Sequence, residues 1–186
     1  MSMSSRGGNA WKHRNGEPRT NRKMVRKAGF EAQWTVEQLW RNPSMEERRF
    51  MTDGLRVWEE WNPVAVKEHQ LTGVRIFDEW VQYIAEGHLD MAAFCRRYDG
   101  LLTGDLNSLS FVLTGMGSIE FMFHYRLKTV DFLLRYTDLP NGEVARRSGF
   151  GSKNNLYLAC KRAWGVAPMR RRQAVKKPGD VGRYRL

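Results

Sequence analysis

The chain contains little cysteine and histidine and has no long apolar run. Its 186 residues include two cysteines, Cys95 and Cys160, which form no metal-ligand spacing and suggest no disulfide framework. We predict that both are small buried residues in a reducing compartment. No run of about 18 apolar residues occurs, so no transmembrane helix is predicted. The N-terminus lacks the apolar core of a signal peptide, so we expect a cytoplasmic, nucleoid-associated protein.

No catalytic or cofactor-binding pattern can be recognised. The four histidines follow neither metal-ligand nor triad spacing, and they are His13, His69, His88 and His124. No glycine-rich phosphate loop follows a strand pattern. The carboxylates fit helix caps or solvated faces. We therefore predict that the protein is not an enzyme and needs no cofactor and no metal.

The net charge of +11 is distributed unevenly. Residues 1–29 hold eight basic residues against one acidic residue, and residues 169–186 hold seven against one. Residues 126–168 are also basic, whereas residues 30–125 hold fifteen acidic residues against eight basic ones. This distribution favours binding of a polyanion by the two ends and the last third of the chain. The alternative is that the basic tails only aid solubility.

The ends and the front of the chain form three segments. From their composition, we predict that residues 1–29 form a disordered basic arm and residues 30–77 form a helical Trp-rich extension. We predict that residues 173–186 form a basic tail. Within the extension, the spacing of Ser44 and Glu47 is that of a capping box. It predicts a helix from Met45 to Trp61, with an apolar stripe of Met51, Leu55 and Trp58. The tryptophans are predicted to pack in the core, and they are Trp34, Trp40, Trp58, Trp61 and Trp80.

The rest of the chain also predicts helices. Apolar residues recur at helical spacing from residue 72 onward, and the longest predicted helix runs from about Ser118 to Tyr136. We find no strand pattern and no internal repeat. The predicted fold class is all-α.

Residues 140–168 carry the most informative motif. Two short helical patterns are joined by a turn at Gly149–Phe150, which is typical of a helix-turn-helix. On the second helix, Leu156, Cys160 and Ala163 are predicted to face inward. The outer face is then polar and basic, and it carries Lys153, Asn154, Tyr157 and Lys161. Asparagine can bond an adenine edge in the major groove, and lysine can bond guanine or phosphate.

Residues 78–172 resemble the DNA-binding domain of the AraC/XylS family of bacterial transcription regulators. The resemblance rests on Arg126-Leu127, Leu133-Leu134, Glu143-Val144-Ala145, Gly149-Phe150, Leu156, Lys161, Trp164-Gly165-Val166-Ala167-Pro168 and Arg171. The first half matches less closely and needs a one-residue insertion near Leu101. The resemblance implies two helix-turn-helix units joined by a long linking helix, preceded here by the helical extension and flanked by basic tails.

The resemblance also implies which residues contact DNA. It places Lys153, Asn154, Tyr157 and Leu158 in the major groove, although the family commonly has a basic residue in place of Leu158. In the first unit it places Asn107 and Ser108 at the groove, where Asp99 and Asp105 would repel phosphates. The remaining predicted DNA contacts are Ser152, Lys161, Arg146, Arg147, Arg170 and Arg171.

The predicted function is that of a sequence-specific DNA-binding transcription regulator of AraC type. Full-length family members often carry a large β-rich ligand-binding domain, and we expect none here because only about 50 ordered residues precede residue 78. The extension could form a dimer or contact RNA polymerase or another protein. Two alternatives stay open: an architectural or mobile-element DNA-binding protein of the same fold, and a protein-interaction module with nucleic-acid-binding tails. No membrane partner is predicted.

Overall fold

The computed structural model describes residues 31–66 and 70–186, so the predicted arm at 1–29 lies outside the described residues. The described part is mostly helical, with a small antiparallel sheet. The α-helices are α1 (Val36–Leu39), α2 (Arg75–Ala85), α3 (Met91–Cys95), α4 (Thr103–Thr114), α5 (Ser118–Tyr136), α6 (Asn141–Arg147), α7 (Lys153–Trp164) and α8 (Pro168–Val175). The strands are β1 (Glu46–Thr52), β2 (Val57–Pro63) and β3 (Tyr184–Arg185), and a short 3-10 helix spans Pro178–Asp180.

The helix predicted from Met45 to Trp61 is wrong, because this stretch forms a β-hairpin. Strands β1 and β2 pair in antiparallel register from Thr52 opposite Val57 to Glu46 opposite Pro63. The turn spans residues 53–56 with its bend at Gly54 and Leu55. The Asp53 carboxylate accepts bonds from two backbone N–H groups of this turn, and Gly54 has a φ of 90°. An Asp-Gly pair is a strong hairpin signal that outweighs the apparent capping box. The expected apolar stripe has no core to face, since Leu55 is 94% exposed.

The C-terminal residues fold back onto this hairpin. Strand β3 pairs with β1, with Tyr184 opposite Glu47 and Arg185 opposite Glu46, so the strand order is β2-β1-β3. Arg185 also forms an ion pair with Glu46 at 2.5 Å, and Arg183 forms one with Glu47. Part of the segment that we predicted as a basic tail is therefore neutralised by the extension. The prediction of an all-α fold is wrong at these three strands.

Helix α5 runs through two hydrophobic cores. Phe121 and Tyr125, in its first half, pack with Trp80 and Phe77 of α2 and with residues of α3 and α4. Leu127, Val130 and Leu134, further along α5, pack with residues of α6 and α7. The two cores therefore share one helix, and each holds one pair of short helices. We name α3 and α4 the first helix pair, and α6 and α7 the second helix pair.

Tryptophan burial follows the prediction only in part. Trp40 and Trp80 are buried in the first core, as predicted. Trp34 packs against the same core while half-buried. Trp58 is exposed, so its predicted place in the core is wrong, because it lies on the hairpin and not on a helix.

The two helix pairs repeat the same backbone plan at a separation of fifty residues. Helices α4 and α7 begin at Thr103 and Lys153, and both end at a glycine, Gly115 or Gly165, with φ near 70°. Helices α3 and α6 begin at Met91 and Asn141. The repeat is not visible in the sequence because its equivalent positions hold few identical residues.

Candidate nucleic-acid interface

The turn between α6 and α7 is built from local hydrogen bonds and two glycines. Ser152 caps α7 by accepting a bond from the Asn155 N–H at 3.2 Å, and the Asn155 side chain donates to the Phe150 carbonyl at 3.1 Å. Gly149 and Gly151 have φ values of 79° and 75°, which suit glycine. The turn therefore fixes the first residue of α7 at Lys153, which is also the first residue of its exposed face.

The inner face of α7 differs from the prediction at one residue. Leu156 and Cys160 are fully buried, as predicted, and Ala159 is buried with them. Ala163 is exposed, so its predicted inward position is wrong. Trp164, four residues after Cys160, packs against the second core where Ala163 was expected. Burial raises the pKa of the Cys160 thiol to about 11, so this cysteine is an unreactive packing residue.

The outer face of α7 is exposed, polar and basic. Its residues follow helical spacing along one side, and they are Lys153, Asn154, Tyr157, Leu158 and Lys161. The helix contains no acidic residue. The Lys153 side chain lies against the backbone of Gly142 in α6. The two are so close that a Cβ atom at residue 142 would lie 2.9 Å from Lys153 Cε. The Lys161 Nζ lies 5.9 Å from the centre of the Tyr157 ring. The structure thus brings these predicted contacts together on one surface.

Two predicted phosphate contacts on α6 are paired with a carboxylate. The Arg146 guanidinium bonds both oxygens of Glu143, at 3.0 and 2.6 Å, and the Arg147 Nε donates to Glu143 at 2.6 Å. These two arginines lower the pKa of Glu143 to about 2. All three side chains are at least partly exposed, so the pairs are open to exchange with another anion.

The arginines of α8 have three different environments. Arg170 is exposed. Arg171 bonds Asp131 at 2.7 Å and lies 4.7 Å from the centre of the Trp164 ring. Arg172 donates to the Leu139 carbonyl, and burial lowers its pKa. Arg171 is therefore engaged with α5, and Arg170 has the most accessible guanidinium.

The first helix pair offers a different surface. Helix α4 has no basic residue and one acidic residue, Asp105. The Asn107 carbonyl oxygen accepts bonds from the N–H and the hydroxyl of Ser118, at 3.0 and 3.2 Å, and so caps α5. The Ser108 hydroxyl donates to the Gly104 carbonyl within the same helix. Both predicted contacts are exposed at the helix surface, but Asn107 also has a structural role.

Arg126 is a positioning residue whose role the sequence did not reveal. From α5 it donates to the carbonyls of Ser148 and Gly149, at 3.3 and 2.6 Å, and its guanidinium lies 4.0 Å from the centre of the Phe150 ring. Burial lowers its pKa. Arg126 therefore ties the turn before α7 to the long helix. It belongs to the residues of the family resemblance, which was the available signal.

The described residues hold neither a metal-binding cluster nor a membrane-spanning helix. Within residues 31–66 and 70–186, no cluster of three or more histidine, cysteine, aspartate or glutamate side chains could hold a metal ion. None of the helices in the same ranges combines the length and apolar composition needed to span a bilayer.

Comparison with known proteins gave matches among solved structures only. No family model and no curated protein matches the chain. The C-terminal domain of AraT, a response regulator from Geobacillus stearothermophilus, is 22% identical with a TM-score of 0.52, and the match covers 57% of this chain and 91% of that domain. The C-terminal domain of the two-component response regulator yesN from Fusobacterium nucleatum is 23% identical with a TM-score of 0.45, over 50% of this chain and 95% of that one. At this identity the likeness shows the fold alone, and the chain shares the fold of the C-terminal domain of AraT.

Proposed function

We propose that this chain is a sequence-specific DNA-binding transcription regulator of AraC type. In this proposal the two helix pairs are helix-turn-helix units, and α7 is the recognition helix that enters the major groove. The observation that carries the proposal is the exposed face of α7. It is polar, basic and free of acidic residues, and a turn held by Arg126 presents it.

The N-terminal half of α7 has the side chains needed for base recognition. Lys153 and Asn154 lie in its first turn, where recognition helices contact bases. Asn154 would bond the N6 and N7 edge of adenine, and Lys153 would bond guanine or a phosphate. Tyr157 and Leu158 lie one turn further and offer apolar surface to a thymine methyl group. Leu158 cannot neutralise a phosphate, so this family contact is missing.

Basic and hydroxyl groups around α7 would position the helix on the DNA backbone. The proposed phosphate contacts are Ser152, Lys161, Arg146, Arg147, Arg170 and Arg171. Exposed ion pairs such as those of Glu143 contribute little, so phosphates can take over Arg146 and Arg147. We expect the weakest contribution from Arg171, because Asp131 already neutralises it.

The first helix-turn-helix unit would contribute position more than sequence readout. On α4, Asn107 and Ser108 are the side chains proposed to face the DNA groove. Asn107 already accepts a bond from the Ser118 N–H and so caps α5. Asp99 and Asp105 lie in the same unit and repel phosphates. Any sequence preference is therefore expected to come chiefly from the half-site under α7.

The test is selection of bound sequences from random DNA with the full chain, followed by fluorescence anisotropy on the selected and a scrambled site. We expect the selection to give a defined sequence motif. Lys153→Ala or Asn154→Ala should weaken the binding free energy for that motif by about 1–3 kcal/mol. Arg75→Ala is the matched control for lost charge, because Arg75 is exposed on α2 and paired with Glu79. It should leave the preference for the selected site unchanged.

Two outcomes would select the other functions. Tight binding without sequence preference, unchanged by Asn154→Ala, would indicate an architectural DNA-binding protein. Binding that disappears when residues 1–29 are removed, with both α7 variants unaffected, would indicate a nucleic-acid-binding tail on an interaction module. The slope of affinity against salt counts the phosphates involved in each case.

A further inference from the structure

The hairpin of β1 and β2 exposes five large apolar side chains. Its exposed large apolar side chains are Phe50, Met51, Leu55, Val57 and Trp58. Clusters of exposed apolar residues mark interaction surfaces. The hairpin holds five acidic and three basic residues between Glu46 and Pro63, so DNA is an unsuitable partner for it.

One edge of the hairpin is open. In the strand order β2-β1-β3, β2 pairs with β1 on one side, and no other strand of the described residues pairs with its second side. Residues 57–60 of β2 are all exposed. An unpaired strand edge with exposed apolar side chains can accept a further strand.

Most charged side chains of the hairpin already have partners. The ion pairs are Arg48 with Glu59, Arg49 with Glu47, Glu47 with Arg183 and Glu46 with Arg185. Asp53 accepts backbone bonds in the turn. Among the described residues, Arg56 and Glu60 have no ion pair. These two residues are therefore the hairpin charges available to a partner.

Arg56 and Glu60 flank Trp58 along the open edge. Side chains alternate between the two faces of a strand, so residues 58 and 60 share one face. Arg56 directly precedes β2 and its carbonyl accepts a bond from the Asp53 N–H at 3.4 Å, so it continues this alternation. The order along the edge is cation, tryptophan, anion. An antiparallel copy of the same edge has the reverse order and so complements it.

We propose that two copies of this chain dimerise through the open edge of β2. The two β2 strands run antiparallel, with Trp58 opposite the partner's Trp58 at the two-fold axis. Arg56 of each copy then faces the partner's Glu60, which forms two equivalent ion pairs. Two nearby registers are disfavoured: one centred on Glu59 would bring the two Glu59 carboxylates together, and one centred on Glu60 would bring the two Glu60 carboxylates together.

An interface made by one short strand from each copy is small, so we expect a weak and reversible dimer. Interfaces below about 1,200 Å² are typical of transient association. The dimer is therefore expected to form reversibly as protein concentration rises. The proposal does not depend on DNA binding, so it can be tested without DNA.

The test is sedimentation equilibrium of the full chain over a wide concentration range. We expect wild type to dimerise reversibly and Arg56→Glu and Glu60→Arg each to raise the dimer Kd at least about tenfold, because each variant places like charges opposite each other. An equimolar mixture of the two variants should dimerise again, since glutamate at 56 in one copy then faces arginine at 60 in the other. Arg75→Glu is the control, with the same charge change on α2, and should leave the Kd unchanged.

Three results would overturn the proposal. They are a wild type that stays monomeric throughout, variants that dimerise as wild type does, and a mixture that fails to restore the dimer. Circular dichroism of each variant checks that a lost dimer does not reflect a lost fold. The proposed DNA contacts on α7 are untouched by these substitutions, so DNA binding by the variants tests the proposed function separately.

Discussion

The two helix pairs have the same backbone plan and opposite surfaces. Residues 140–164 hold five basic residues and one acidic residue, whereas the equivalent residues 90–114 hold two basic and three acidic residues. The buried positions agree far better, since Leu106 and Leu156 are both fully buried at equivalent places in α4 and α7. Packing thus constrains the inner face of each pair, and the outer face is free to diverge. The basic surface of the second pair is therefore not a requirement of the fold.

The equivalence of the two cores can be tested with Leu106→Ala and Leu156→Ala. Both side chains are fully buried, so each truncation removes apolar contacts and leaves a cavity. We expect each to lower the free energy of unfolding by about 2–5 kcal/mol. Urea denaturation followed by tryptophan fluorescence measures the change.

Leu158→Ala is the control for that comparison, because it removes the same group from an exposed position of α7. It should change the free energy of unfolding by less than about 0.5 kcal/mol. A large loss from Leu156→Ala with little from Leu106→Ala would show that the two pairs are not equivalent in packing.

Asn107 and Tyr157 occupy equivalent positions in the two helix pairs. Substituting each by alanine distinguishes an effect on stability from an effect on DNA affinity. Asn107→Ala removes the cap on α5 and should cost about 1 kcal/mol in free energy of unfolding. It should leave the affinity for the selected DNA site nearly unchanged. Tyr157→Ala should do the reverse, lowering affinity by about 1–3 kcal/mol with little loss of stability, because its ring lies on the exposed face.

Thermal unfolding and fluorescence anisotropy of the same two protein samples give both quantities. If Asn107→Ala weakened specific binding as strongly as Tyr157→Ala, at equal stability, α4 would be a second reading helix. That result would contradict the division of roles between the two pairs.

Local signals explain which parts of the fold could be predicted. The second helix pair was found because its Gly149–Phe150 turn and the apolar spacing of α7 lie within twenty residues. The hairpin was missed because the capping-box spacing and a period of three to four residues imitated a helix, although Asp53–Gly54 indicated the turn. The role of the last residues could not be read locally, since Arg183 bonds Glu47 from 136 positions away.

For the candidate site, the sequence could predict which side chains are exposed more readily than which contacts they make. Most of the predicted basic residues of α6, α7 and α8 are at the surface, but the sequence could not show that Asp131 neutralises Arg171 or that Asn107 caps α5. These contacts join elements that are distant along the chain or depend on side-chain rotamers. The conformation of such side chains follows from packing and not from helical period.

Adding a cation at equivalent positions tests whether the two outer faces meet DNA in the same way. Leu158→Arg places a basic residue where the family that the sequence resembles commonly has one, and Ser108→Arg places one at the equivalent position of α4. We expect Leu158→Arg to raise DNA affinity several-fold and to steepen the dependence of log Kd on log salt by about 0.9, the value for one added phosphate. Ser108→Arg should change the slope less, because Asp105 is nearby on α4. Equal slopes for both variants would show that α4 lies as close to the backbone as α7.

Glu143 provides the smallest and most specific test of the comparison. The equivalent residue of the first pair is Ala93, and there Arg96 lies 4.0 Å from Asp90, whereas Glu143 bonds both Arg146 and Arg147 in the second pair. Glu143→Gln removes a negative charge beside the proposed phosphate contacts and should raise DNA affinity by less than about fivefold, as befits exposed ion pairs.

The pKa of Glu143 is lowered from 4.5 to about 2, so its carboxylate stays charged above pH 5. Any stabilisation of the fold from its pairing with the two arginines is lost only as the pH falls from about 4.5 towards 2. The gain in affinity should therefore be the same at pH 5.5 and pH 8, measured by anisotropy at fixed ionic strength. A loss of affinity instead would mean that Glu143 orients Arg146 and Arg147 for the phosphates and does not compete with them.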